Sequence, residues 1–140
     1  MKKITQTLLL LLVLIASVSS CKKSSDSTPA VAPAVAIIGK WKIVSAQSVF
    51  AGITEDELDD CEKDDVLEFF TGTKVVKSNG ATKCDASELA SETSTYNLSA
   101  DGKTLVLDNE TSTVVELSSS RLVLRQDFFG IVATITFSKI

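Results

Sequence analysis

Few residues in this chain can do chemistry. No histidine occurs among its 140 residues, so neither a Ser–His nor a Cys–His nucleophile can be assembled, nor a zinc site with a His ligand. A general base would have to be a carboxylate, a lysine or the single tyrosine, Tyr96, and each needs a large pKa shift to work near neutrality. The one dense group of potential ligands is acidic: Glu55, Asp56, Glu57, Asp59, Asp60, Glu62, Asp64 and Asp65. Such oxygens suit calcium. The EF-hand order, with its central Gly and terminal Glu, is missing, so the run reads as a solvated acidic face rather than a calcium site. With no catalytic constellation in view, the chain reads as a non-enzyme with no resident metal or cofactor.

The three cysteines divide by their surroundings. Lys2 and Lys3 precede an unbroken apolar run, Leu8 to Ile15, which leads through Val18-Ser19-Ser20 to Cys21. The run is far shorter than the roughly 20 apolar residues of a membrane span and has the length of a signal-peptide core. The small residues before Cys21 resemble the bacterial lipobox. That implies an export signal over 1–20 and acylation of Cys21, which would tether the protein to a membrane. Residues 21–36, small, polar and Pro-containing, read as the lipidated N-terminus and a flexible linker. Lys22 stands where an inner-membrane retention signal would place Asp, so resemblance to other lipoproteins points to the outer membrane. Two bases against one acid over residues 22–26 favour its periplasmic face over the cell surface.

Export places Cys61 and Cys84 in an oxidising compartment, where a disulfide is expected. If 66–70 and 74–77 are strands folded about Thr71-Gly72, the position facing residue 61 is near 82 or 83, which brings the two sulfurs close together. A redox pair or a metal site is the other reading, and no CxxC spacing supports it. The formal net charge is −4. Without Lys2 and Lys3 the exported chain carries 12 basic against 18 acidic side chains, a net −6. That balance argues against nucleic acid, which needs a basic patch.

From Ile37 onward the hydrophobic period is 2. Strands are expected around Trp41, Ile43 and Val49, then at Val66–Phe70, Lys74–Lys77, Thr93–Ser99, Thr104–Leu107, Thr113–Leu117, Arg121–Gln126 and Ile131–Ser138. Asp101-Gly102 marks a hairpin. Thr54-Glu55-Asp56-Glu57 has capping-box spacing, so a short helical segment is expected between the first two strands. Eight strands with short links make sequence neighbours spatial neighbours. Such a meander hides its edges by closing into an up-and-down barrel or by packing as a two-sheet sandwich.

Gly39-Lys40-Trp41 is similar to the Gly-x-Trp signature of lipocalins. Together with Cys61–Phe70, Tyr96–Leu105 and the closing Phe137–Ile140, it makes residues 37–140 resemble the lipocalin-like domains of small Bacteroidota-type envelope lipoproteins. The resemblance implies an all-β, up-and-down, antiparallel eight-stranded barrel with Gly39 and Trp41 at its plugged end. In that family the Trp packs on an Arg near the last strand. Here Arg121 and Arg125 both fall on the penultimate strand, and no Arg is assigned that part.

The inward stripe is expected to comprise Trp41, Ile43, Leu67, Phe69, Val75, Tyr96, Leu98, Leu105, Leu107, Val115, Leu117, Leu122, Leu124, Ile135 and Phe137. Eight-stranded interiors are filled by side chains or hold one small ligand, so the stripe is either core or ligand lining. Phe128 and Phe129 sit in the last hairpin, packed into the barrel mouth or exposed as a rim. Two functions follow. One is a tethered binding module for a small apolar or amphipathic molecule, as the resemblance implies. The other is a filled barrel that docks an envelope protein through its loops. A cavity of about 300 Å³ or more would favour the first, and a packed interior the second.

Overall fold

The computed structural model describes residues 32–140. The signal segment 1–20, Cys21 and the chain up to residue 31 lie outside the described residues. A single turn of helix, α1 (Pro33–Ala36), is followed by β1 (Gly39–Phe50), β2 (Ile53–Asp56), β3 (Val66–Phe69), β4 (Lys74–Ser78), β5 (Ser91–Leu98), β6 (Thr104–Leu107), β7 (Glu110–Leu117), β8 (Arg121–Phe128) and β9 (Ile131–Lys139). From β3 to β9 each strand pairs antiparallel with the next, and β1 pairs with both β3 and β9. The ring therefore closes as an eight-stranded antiparallel barrel, the fold expected from the alternation and the resemblance. Closure leaves the ring without a free edge, which explains how short strands such as β3 and β6 are stable.

The ninth strand and the helix correct two expectations. β2 stands outside the ring as the hairpin partner of the distal half of β1, from Gln47↔Asp56 to Phe50↔Ile53. The capping-box spacing at Thr54 thus lies in a strand. Between β2 and β3 there are only isolated turns, closed by Glu62 N–H to the Asp59 carbonyl and Asp65 N–H to the Glu62 carbonyl. Aspartates compete with helix formation by bonding nearby backbone, here Leu58 N–H to Asp56 Oδ1, and four of the residues from 59 to 65 are Asp. The helix instead precedes β1, inside the stretch read as linker. Pro33 opens it, with φ pre-set for a first helical turn. Ala36 and Ile37 are buried, and a Cβ on Gly102 would come within 2.6 Å of Pro33, so α1 packs on the β5–β6 turn.

Three two-residue turns have positive φ at both central positions: Ala51-Gly52 (50°, 82°), Asp108-Asn109 (51°, 70°) and Phe129-Gly130 (51°, 82°). That pattern matches the right-handed twist of the flanking strands. It lets β8 run through Phe128 and β7 begin at Glu110, beyond the breaks expected from composition.

Two bulges reset the period of 2. In β1 the register to β9 shifts between Ile43 and Ser45, so Trp41, Ile43 and Ala46 share the inner face while Val44 turns outward and is exposed. In β7 it shifts between Val114 and Glu116. Val114 is buried and Val115 is 60% exposed, which corrects the place of Val115 in the inward stripe. An extra residue on one strand has no partner, and every residue beyond it changes face. That is why Leu117 still packs against the core.

The core fills the half of the barrel nearest α1. Trp41, Phe69, Ile37, Leu105, Leu122 and Val75 are its largest fully buried side chains. Phe69 meets Tyr96 edge to face, with ring centres 4.9 Å apart, an arrangement favoured by the ring quadrupoles.

Candidate functional site

The register places the two barrel ends. α1, the β3–β4 turn, the β5–β6 turn and the C-terminal end of β9 lie at one end. The tips of β1–β2, β6–β7 and β8–β9, with the loops 57–65 and 79–90, lie at the other.

At the α1 end Trp41 is fully buried and its indole N–H donates to the Ile37 carbonyl at 2.7 Å. Trp41 pairs with Lys139 across β1 and β9. Lys139 Nζ lies 5.0 Å from the centre of the Trp41 ring and donates to the Ala36 carbonyl at 2.9 Å. A lysine thus occupies the position beside the Trp, and neither Arg121 nor Arg125 does. The signal was present in the sequence, because Lys139 lies two residues beyond Phe137 and so falls on the same face of β9. Gly39 has φ +122°, and a Cβ there would approach Lys139 Cε to 2.9 Å. The glycine admits both the backbone turn and the lysine stem.

Above this floor a cavity of about 200 Å³ opens inside the barrel. Trp41, Ile43, Leu67, Leu107 and Phe137 form its apolar walls, and Glu62, Asp65 and Lys77 its charged side. The remaining inward residues, Phe69, Val75, Tyr96, Leu98, Leu105, Leu117, Leu122, Leu124 and Ile135, belong to or pack on the core. The stripe is therefore divided, solid toward α1 and cavity-lining toward the loops. Lys77 lies two residues from buried Val75, so the alternation turns its stem to the inside. There it pairs with Asp65 at 3.2 Å. The sequence marked Glu62 and Asp65 only as members of an acidic run, and nothing in it marked Lys77, because which way a strand lysine faces depends on the register.

The loops over this end are held by covalent and polar ties. Cys61 and Cys84 form a disulfide, with Cα atoms 5.2 Å apart. Asp64 accepts the Ala81 and Thr82 N–H groups at 2.8 and 3.2 Å, and Asp65 the Gly80 N–H at 3.0 Å. Glu88 accepts the Cys84 N–H. Asp60 and Lys63 form an ion pair, and the lysine's hydrogen bond and charge hold the Asp60 carboxyl below its ordinary value. Of the acidic run, Asp64 and Asp65 thus fasten 59–65 to 79–88. Among the described residues no three His, Cys, Asp or Glu side chains are placed to share a metal ion. At the β8–β9 tip Phe128 is half exposed and Phe129 fully so, which rules out packing into the mouth for Phe129.

Tyr96 is buried, and its hydroxyl donates to the Phe70 carbonyl at 2.8 Å. Burial pushes its pKa up, away from any base function near neutrality.

Comparison with known proteins follows the same lines. A family model described as a lipocalin-like domain matches residues 37–124. Among solved structures, the crystal structure of a lipocalin-like protein from Bacteroides uniformis is similar to this chain at 19% identity, covering 75% of this chain and 99% of that one, with a TM-score of 0.48. No curated protein matches. A family match over residues 37–124, more than half of the chain, shows that this chain belongs to the lipocalin-like domain family.

Proposed function

We propose that this domain is a non-enzymatic binding module for a small amphipathic molecule, held in the barrel with its apolar body on Trp41 and its polar end at Lys77, Asp65 and Glu62. One observation carries the reading: an apolar cavity inside the barrel whose charged residues all lie on the loop side. At about 200 Å³ it falls below the roughly 300 Å³ of sites for drug-sized ligands. It exceeds the roughly 150 Å³ apolar cavity that takes up benzene. The ligand is therefore a short one. Lys77 is already paired with Asp65, so a ligand with hydrogen-bonding hydroxyl or amine groups suits this mouth better than a second carboxylate.

Because Trp41 is both the plug and the floor of the cavity, its emission reports occupancy. Titration of the full chain with short-chain alcohols, amines and carboxylates should shift Trp41 fluorescence and raise the melting temperature by mass action. Leu107→Phe, which fills the cavity, should abolish both effects. If no member of the series changes either signal, the binding function is wrong.

The proposal includes the cell envelope as the setting, with Cys21 acylated and the domain tethered to the outer membrane on its periplasmic face. Cys21→Ser should then move the processed protein into the soluble fraction. A processed wild-type protein whose Cys21 carries no acyl chain in mass analysis would overturn the tether.

A further inference from the structure

The tips of the β1–β2 and β8–β9 hairpins lie side by side. β1 pairs with β9 out to Phe50↔Ile131, and β8 with β9 out to Phe128↔Ile131. Together the tips present Phe50 (58% exposed), Ile53 (65%), Phe128 (44%) and Phe129 (100%) at the end remote from α1. No charged residue occurs in 50–53 or 128–131, and Glu55, Asp56 and Asp127 begin just behind them. Single exposed apolar side chains are ordinary. Four on adjoining tips are not, and Phe129 is also held at φ +51°, a position where Gly, Asn or Asp is the easy choice. The barrel gains no packing from this ring, so the fold does not account for it.

The geometry points to a lipid-inserting tip. Phe50, Ile53, Phe128 and Phe129 enter the headgroup–acyl boundary of a phospholipid surface of the phosphatidylethanolamine type. Three observations select this occupant. The patch protrudes on hairpin ends, which suits a yielding surface better than a rigid one. Each hairpin closes on a paired residue, Phe50↔Ile53 and Phe128↔Ile131, so few backbone groups are left to be satisfied in an apolar layer. The acids behind the tip would sit among the headgroups, where they meet ammonium groups favourably and anionic lipid unfavourably. In a tip-to-tip pair of copies the same acids would oppose one another. Reach is sufficient: the chain from Cys21 to Ala32 spans up to roughly 36–40 Å, more than the roughly 30 Å that the nine residues of β9 rise. That last point alone rests on the tether proposed above.

The test uses the full chain carrying Phe129→Trp, mixed with phosphatidylethanolamine–phosphatidylcholine vesicles with brominated acyl chains. Buried Trp41 supplies the baseline, read from the unmutated chain. Insertion predicts that the added emission is blue-shifted, at least halved by the brominated lipid and protected from aqueous iodide. Adding Phe128→Asp should restore iodide access. Emission quenched by iodide and untouched by bromine would overturn the proposal. Emission quenched by neither, in a protein that sediments as an oligomer or with a partner, would overturn it in favour of a protein interface. The tether is judged separately by whether the processed N-terminal Cys21 carries acyl chains in mass analysis, which the tip does not affect, so the two can fail independently.

Discussion

Lys139 Nζ stands 5.0 Å from the centre of the Trp41 ring and donates to the Ala36 carbonyl at 2.9 Å. One cation thereby joins the last strand, the only indole and the end of α1. A cation over an indole contributes about 0.5–2 kcal/mol, and a hydrogen bond from a charged donor about 1.5–3 kcal/mol when well shielded. Lys139 is only partly buried, so Lys139→Met should cost about 1–2 kcal/mol in urea unfolding, and Lys139→Arg much less. Trp41→Ala should cost about 3–5 kcal/mol, a large part of a small domain's roughly 5–15 kcal/mol. The double mutant should fall short of the sum of the singles. Strict additivity would show that the two side chains do not interact.

The Cys61–Cys84 disulfide closes a loop with a sequence separation of 23. Chain-entropy reasoning gives such a loop about 3 kcal/mol of stabilisation. Replacing both cysteines with alanine should lower the urea midpoint accordingly. Alkylation of the unreduced protein should leave Cys61 and Cys84 unlabelled, and a readily labelled Cys61 would refute the pairing in solution.

Gly80 and Asp64 are matched in shape. A Cβ at residue 80 would come within 2.0–2.3 Å of the Asp64 carboxylate atoms, and that carboxylate accepts two backbone N–H groups of the facing loop. Gly80→Ala should therefore cost about 1–3 kcal/mol, in the range of overpacking. Asp64→Ala should cost about 1–3 kcal/mol for amides left without an acceptor. Since each change damages the same contact, the pair should be clearly sub-additive in a double-mutant cycle. Gly80→Ala melting with the wild type would mean that the loops part freely.

Tyr96 gives the domain an alkaline limit. Burial raises its pKa above the ordinary 10.0, so the folded state holds the phenolic proton more tightly than the unfolded chain. The associated stability is complete below the unfolded value and is lost as pH rises through the folded one. The ionised oxygen also can no longer donate to the Phe70 carbonyl. As pH rises past about 10 the wild type should lose stability faster than Tyr96→Phe, which cannot ionise there. Parallel stability curves would show that Tyr96 is not the group responsible.

Hydrophobic alternation and turn residues decide strand existence locally, because a strand's two faces are written two residues apart. The positions of all eight ring strands, their meander order and most of the inner face from Trp41 to Phe137 were therefore legible. So was the Cys61–Cys84 pairing, since a short hairpin between the cysteines sets which positions face each other.

What the sequence by itself determined was an antiparallel meander with Trp41 near its start, a pair of cysteines across one hairpin, and no histidine to support nucleophilic catalysis. Tertiary structure decided the rest. A bulge costs one residue and no change of composition, so only the partner strand shows that Val114 faces in while Val115 faces out. A four-residue helix cannot hold itself together in water, so α1 exists because the barrel end and the β5–β6 turn give Pro33–Ile37 something to cover. Whether an inward stripe is solid or hollow depends on how the side chains of eight strands meet at the axis. That sum placed Phe69, Tyr96 and Leu105 in a packed core and left about 200 Å³ beneath Lys77 and Asp65.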